Sequence, residues 1–288
     1  MKTGAIQWYP GHIAKAEKQL SRNLEKVDLV IEVRDARIPI ATSHPHLERW
    51  IKGKQHLLVI NRRDMIGAPA LQAWDEWFRN EGKTPLWCNA KDGTGIKQLQ
   101  ETAIRTGEKL NARRKARGMK SRPVRALTLG FPNVGKSALI NRLVRKKVVM
   151  SSRKAGVTRT LRWVRVGQEL DLLDSPGILP PRFEDQKAAL KLALCDDIGQ
   201  AAYDVELVAI AFLKMLLYLE ANKKAGVSSG NIEQRYGLPL AGEEADPNRW
   251  LIKVSERHTS GDTRRMAQRI LDDFRKVFLG LISLELPS

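Results

Sequence analysis

Apolar positions recur in two rhythms, and the change between them falls near Arg182. Ahead of that point, short apolar runs at 29–33, 57–60, 85–88, 124–129, 161–166 and 170–173 are bounded by polar or turn-forming residues, as expected for buried strands of a parallel sheet. Between most of them, segments 13–27, 46–51, 69–80, 96–106 and 136–145 carry apolar residues at helical spacing. Alternation of this kind predicts an α/β sheet covered on both faces. The last two runs are expected to pair as a hairpin through Gly167-Gln168. Between 107 and 122 the helical rhythm lapses into a basic connector with a helical start, ended by Pro123. Beyond Arg182 strand signals stop, and 186–194, 205–221, 229–236 and 263–278 read as helices. In the last, Met266, Ile270, Phe274 and Val277 mark one face and Asp262 stands at the N-cap position. The expected division is therefore an α/β domain over 1–182 and an all-α domain over 183–288.

Composition permits such cores, since 42% of the 288 residues are hydrophobic. Charge adds something the rhythm does not. The net charge is +18, and residues 109–168 hold eighteen Lys or Arg without one Asp or Glu, so this block equals the excess of the whole chain. A polyanionic partner such as RNA is the natural expectation. Cys88 and Cys195 have no metal-ligand spacing, which predicts two core residues, no structural disulfide and a reduced, cytoplasmic setting. No export signal opens the chain. The longest greasy stretch, 207–219, is interrupted by Lys214 and reads as a buried helix rather than a membrane span.

The segment Gly130-Phe131-Pro132-Asn133-Val134-Gly135-Lys136-Ser137 follows a strand run and opens a helical one, the setting a phosphate-binding loop requires. Its glycines let backbone amides approach phosphate oxygens, and the helix N-terminus adds its dipole. In this reading Asn133, Val134, Gly135, Lys136, Ser137 and Ala138 contact nucleotide, with Lys136 on the β and γ phosphates and Ser137 on magnesium. Downstream, Asp174-Ser175-Pro176-Gly177 ends a strand. Asp174 is placed to hold magnesium through water and the Gly177 amide to sense a γ-phosphate. Between them Thr158, in Gly156-Val157-Thr158-Arg159, is a candidate to complete the magnesium shell.

Two weaker segments lie upstream of the loop, at the ends of neighbouring strand runs. Asn61-Arg62-Arg63-Asp64 offers Asp64 to guanine N1 and N2, with Asn61 as a brace. Asn89-Ala90-Lys91 resembles a Ser-Ala-Lys segment whose backbone amide contacts guanine O6. Ligands of such sheets bind at strand C-termini, so the two support each other.

This order of base-reading motif, Ala-Lys motif, phosphate loop, Thr switch and Asp-x-x-Gly switch resembles the circularly permuted GTPases. Trp8-Tyr9-Pro10-Gly11-His12, Asp35-Ala36-Arg37-Ile38-Pro39, Pro132-Asn133 and, near the end, Gly261-Asp262 with 271–275 resemble the ribosome biogenesis GTPase A family, also called RbgA or YlqF. The resemblance implies a Ras-like P-loop GTPase sheet with permuted motif order plus a C-terminal all-α domain. It further implies GTP and GDP as ligands with Mg2+, and a factor that binds rRNA in large ribosomal subunit precursors and acts late in their maturation; a monomer is the default expectation. From the same source come His12 as a catalytic residue beside Lys136, Thr158 and Gly177, and a potassium ion beside Asn133. Departures are Arg62 for the family's lysine and Asn89 for serine. Ile178 follows the switch glycine where Ras-like enzymes keep a water-orienting glutamine, so turnover is expected to be slow until a partner docks. Two other readings are open at this point: an RNA-binding module that uses nucleotide only for stability, and a permuted GTPase serving the small subunit or tRNA metabolism. Arg264, Arg265 and Arg269 are weaker candidates for rRNA backbone contact, and most of the seven tryptophans read as packing residues.

Overall fold

The computed structural model describes residues 20–149, 162–180, 185–240 and 246–287. Six strands, β1 (Leu29–Asp35), β2 (Gln55–Asn61), β3 (Leu86–Trp87), β4 (Val124–Leu129), β5 (Arg162–Val166) and β6 (Leu170–Asp174), form one sheet in the order β3-β2-β1-β4-β6-β5. All neighbours are parallel except the β5–β6 hairpin. Around it lie α1 (Leu47–Ile51), α2 (Ala68–Asn80), α3 (Ile96–Ala116) and α4 (Lys136–Val144). The central strand β1 is buried throughout. Its polar members survive there by pairing, with Arg34 Nε 2.6 Å from Glu32 Oε1 and His56 Nε2 3.1 Å from Glu32 Oε2.

Two expectations for this half need correction. The helix expected to lapse at Gly107 runs on through Ala116. Gly107 is there because a Cβ would come within 1.8 Å of Val124 Cγ2, so the glycine permits close approach of helix and sheet instead of ending the helix. The remaining connector is pinned: Asn111 and Arg122 exchange hydrogen bonds of 2.9 and 3.1 Å, and the Arg122 guanidinium forks onto Asp28 at 2.7 and 2.8 Å. Finally, β5 is an edge strand with Arg162, Trp163 and Arg165 exposed, not a buried one. Charged side chains on an edge discourage pairing with other chains.

Beyond β6 the chain is helical: α5 (Gln186–Leu194), α6 (Val205–Glu220), α7 (Ser229–Tyr236), α8 (Pro247–Thr259) and α9 (Thr263–Arg275). Asp185, Asp204, Asp246 and Asp262 cap four of these by accepting first-turn amides. The pattern reading passes over α8, although Asp246-Pro247 marks its start and Trp250, Leu251 and Val254 its buried face. It also carries α9 too far. The helix ends at Arg275, and Val277, at φ +67°, lies beyond it. One continuous apolar cluster joins Val33 and Phe131 of the sheet half to Phe212, Trp250 and Ile270 of the helical half. The closing segment then crosses back. Glu285 accepts from the Ile40 amide at 2.7 Å and from Lys191 Nζ at 2.9 Å, and Trp74 Nε1 donates to its carbonyl at 3.2 Å. Cys88 and Cys195 are free and buried. Among the described residues no helix is long and apolar enough to cross a membrane.

Candidate functional site

The C-terminal ends of β1, β2, β4 and β6 bring the sequence-predicted segments to one edge of the sheet. The phosphate-loop segment links β4 to α4. Gly135, the α4 N-cap, is at φ +101°, and any Cβ there would sit 2.2 Å from Asn61 Nδ2. A larger residue would therefore drive the two loops apart. Asn61 itself joins three segments. Its Nδ2 donates to Val134 O at 2.8 Å and its Oδ1 accepts from the Ala90 amide at 3.1 Å, so one side chain ties its own loop to the other two. The Lys91 amide donates to Asn89 Oδ1 at 2.9 Å, which fixes the turn after β3. Asp64 sits exposed on the short turn at 63–65 beside these loops.

Arg62 follows Asn61 at φ +63°, a conformation seldom taken by residues other than glycine. Its guanidinium forks: Nη2 donates to Asn133 O at 2.5 Å and Nη1 to Asp35 Oδ2 at 2.7 Å. A lysine has one nitrogen and could not serve both acceptors with a planar fork.

At the phosphate end, Lys136 is buried and donates to the carbonyls of Gly130 and Phe131 at 3.1 and 2.7 Å. Burial lowers its pKa to about 8, against the pull of Asp174 and Asp197. Ser137 Oγ donates to Asp174 Oδ2 at 3.2 Å. The other oxygen of Asp174 is buried with no hydrogen-bond partner. Burial accordingly raises this carboxyl above its ordinary range, although Lys136 and Ser137 oppose the shift. A hydroxyl beside a carboxylate with one unsatisfied oxygen is a hard-oxygen donor set, and it fits Mg2+.

The switch segment leans on the phosphate loop. A Cβ on Gly177 would lie 2.4 Å from Pro132 Cα, and the Ile178 amide donates to Gly130 O at 3.2 Å. The Ile178 side chain is buried with Leu20, Leu24, Val30, Leu129 and Leu173, so it faces the core and not the loop. His12 and Thr158 lie outside the described residues, as do the segments 8–12 and 156–159 that contain them.

Four side chains at this edge carry no sequence-stated role. Asp35 and Arg37 appear in the sequence only as part of a family-like segment, and Asp197 and His44 give no signal at all. His44 is buried against Trp50 and Phe131, with ring centroids 4.2 and 6.0 Å away, and burial holds its pKa down at about 4. It is a neutral packing residue at physiological pH.

Known proteins resemble this chain over most of its length. A family model described as "50S ribosome-binding GTPase" matches residues 125–223. Ribosome biogenesis GTPase A of Bacillus pumilus is 39% identical over 211 residues, 73% of this chain and 75% of that protein. Its counterpart in Bacillus licheniformis is 37% identical, covering 83% and 82%, and mitochondrial ribosome-associated GTPase 1 of Mus musculus is 33% identical, covering 67% and 61%. In fold, the chain matches the GNP-bound YlqF of T. maritima with a TM-score of 0.62 at 22% identity, over 95% of this chain and 99% of that one. With the 61–64 segment ahead of its phosphate loop and its likeness to these proteins, the chain belongs to the ribosome biogenesis GTPase A family of circularly permuted P-loop GTPases.

Proposed function

We propose that this GTPase binds precursors of the large ribosomal subunit through rRNA and promotes a late step of their maturation. The observation that carries the reading is a basic surface built by the acid-free block. Arg113, Lys115, Arg117 and Lys120 are exposed on the end of α3 and the connector, Arg125 is exposed at the start of β4, and Arg162 is exposed on the edge strand β5 beside Arg165, which pairs with Asp171. Arg125 lies over the exposed Trp163 ring, 5.9 Å from its centroid, and cations interleaved with an aromatic suit a phosphate backbone with accessible bases. The names of the relatives and of the matching family model support the ribosome, and within it the large subunit.

In this reading Asp64 and the 89–91 turn bind guanine, the amides from Asn133 to Ala138 and Lys136 bind the phosphates, and Ser137 and Asp174 hold Mg2+. Thr158 completes the metal shell with triphosphate and the Gly177 amide senses the γ-phosphate. The metal neutralises charge on the phosphates. Lys136, released from the Gly130 and Phe131 carbonyls, takes up phosphate oxygens in their place. Ile178 faces the core, so no side chain at that position orients water; His12 supplies this role when the ribosomal partner docks. Potassium at Asn133 adds a further positive charge.

The test is GTP turnover with purified large or small subunits, in potassium or sodium, across a salt series. Large subunits are expected to raise turnover at least tenfold, with stimulation fading as salt screens phosphate contacts. Equal stimulation by both subunits, or none, overturns the assignment. His12→Ala is expected to abolish the stimulated part, and equal rates in the two salts remove the potassium role.

A further inference from the structure

The phosphate loop, the base-reading loop and the helical half meet at one buried cluster of charge. Asp35, at the end of β1, is fully buried and accepts four hydrogen bonds. Oδ1 takes the Arg37 amide at 2.9 Å and Arg37 Nε at 3.0 Å, while Oδ2 takes Arg37 Nη2 at 2.8 Å and Arg62 Nη1 at 2.7 Å. Arg37, itself 2% exposed, passes the connection on: Nη2 donates to Cys195 O at 3.2 Å, and its guanidinium lies 5.5 Å from the Phe274 ring centroid of α9. Cys195 is the C-cap of α5. The next residue, Asp196, adopts φ +63° and its carbonyl accepts from Asn133 Nδ2 of the phosphate loop at 2.6 Å. Asp197 completes the turn, its amide donating to Leu192 O at 2.9 Å, and its carboxyl group faces inward, 3.8 Å from Arg62 Nη1. Neither oxygen has a hydrogen-bond partner, and the residue is fully buried.

Such a group is expensive to keep and calls for an explanation. Arg62, itself in the 61–64 loop, contacts the phosphate loop at Asn133 O and the end of β1 at Asp35, and lies 3.8 Å from Asp197 of the helical half. We infer that Arg37 and Asp197 are positioning residues of a relay in which Arg62 couples nucleotide binding to the seating of the α5 C-terminal turn, residues 192–198. Binding orders Arg62 and Asn133. Asn133 Nδ2 holds the Asp196 carbonyl and Arg62 Nη1 lies 3.8 Å from the Asp197 carboxyl group, so ordering them holds the turn down, and an open turn loosens both loops. The coupling is reciprocal, as any linkage between two binding equilibria must be. A ribosomal surface that engages the helical half thereby reports on, and acts on, the nucleotide site. The inference rests on the assignment of 61–64 as the base-reading loop.

Hydrogen exchange of the full chain, with and without GDP at 100 times its Kd, tests it. Binding at that concentration slows any opening that requires loss of the site by up to about 100-fold, and leaves an independent opening unchanged. In the wild type, amides of 192–198 are expected to slow at least 30-fold. In Arg37→Lys, which keeps the charge but cannot span Asp35 and Cys195 O together, and in Asp197→Asn, the slowing is expected to fall below about threefold. GDP is reset to 100 times each variant's own Kd. A purely structural role would speed exchange with and without GDP alike and leave the ratio unchanged, and that result overturns the relay. So does a wild-type turn that ignores GDP while 136–144 responds. Failure of 136–144 to respond at saturating GDP would instead remove the nucleotide assignment itself.

Discussion

Two aspartates end strands of the same sheet at the same edge, and their surroundings are opposites. Asp35 on β1 has both oxygens filled by two guanidinium groups, which hold its carboxyl down at about 2 against the cost of burial. Asp174 on β6 is just as hidden, yet it has one serine hydroxyl, one oxygen with no partner, and a carboxyl pushed upward by burial. The first is a closed account in which charge is matched inside the protein. The second stays open for a group supplied from outside. Burial alone therefore does not distinguish the two; what does is the unsatisfied oxygen of Asp174 beside a hydroxyl and a lysine.

Substitution should separate the two. Asp35→Ala leaves Arg37 buried without its partner, and breaking such a pair costs about 3–5 kcal/mol. That corresponds to a fall in Tm on the order of 10 °C by thermal melting, and a fall of only a degree or two would break the contrast. Asp174→Ala is expected to show the reverse profile: magnesium-dependent GTP turnover down about 100-fold, or roughly 2.7 kcal/mol, with stability in the absence of nucleotide unchanged or raised. Asn61→Ala sharpens the picture between these poles, because it strands the Ala90 amide and Val134 carbonyl. Stability should drop by about 1–3 kcal/mol and GDP affinity, measured by calorimetric titration, by about tenfold.

A test by pH concerns Asp197, whose carboxyl burial and the nearby Asp35 push up to about 8. Its ordinary value is 3.8. Between these pH values the native state keeps a proton that the unfolded chain releases, so the stabilisation linked to this group is full below about 4 and is lost as pH rises through 8. Asp197→Asn carries no such linkage. Its stability relative to the wild type should therefore climb between pH 4 and pH 8.5, the asparagine's own burial cost being the same at every pH and setting the offset of the curve, not its slope. Parallel stability curves for the two proteins would show that Asp197 is ionised throughout.

Much of this was legible in the chain of letters. Buried parallel strands announce themselves as apolar runs, and the phosphate loop is tied to fixed glycines, a lysine and a serine whose roles are local. What escaped depends on tertiary contact. Gly107 reads as a helix breaker until Val124 is seen against it. Helix α8 has a clear start at Asp246-Pro247, but its apolar face is too sparse to announce a helix on its own. The charge cluster was the least legible part, because Arg37, Arg62 and Asp197 are ordinary surface residue types and only packing turns them inward. The reach of Arg62 to Asp35 has the same origin, since nothing local to 61–64 points toward β1.

The sheet order also bears on how the protein is made. β1 lies between β2 and β4, and Asp28 at its start accepts from the Arg125 amide, ninety-seven residues further on, at 3.0 Å. A nascent chain emerging from N- to C-terminus thus presents β2 and the 61–64 loop long before β4 exists to flank β1, and before Val134 exists to accept from Asn61. During synthesis one flank of β1 stays open until Val124 and its neighbours arrive. Long-range closure of this kind slows folding and exposes strand edges to wrong partners. For this chain, guanine nucleotide binding is a property of late synthesis, gained only after more than half of the polypeptide has left the ribosome that made it.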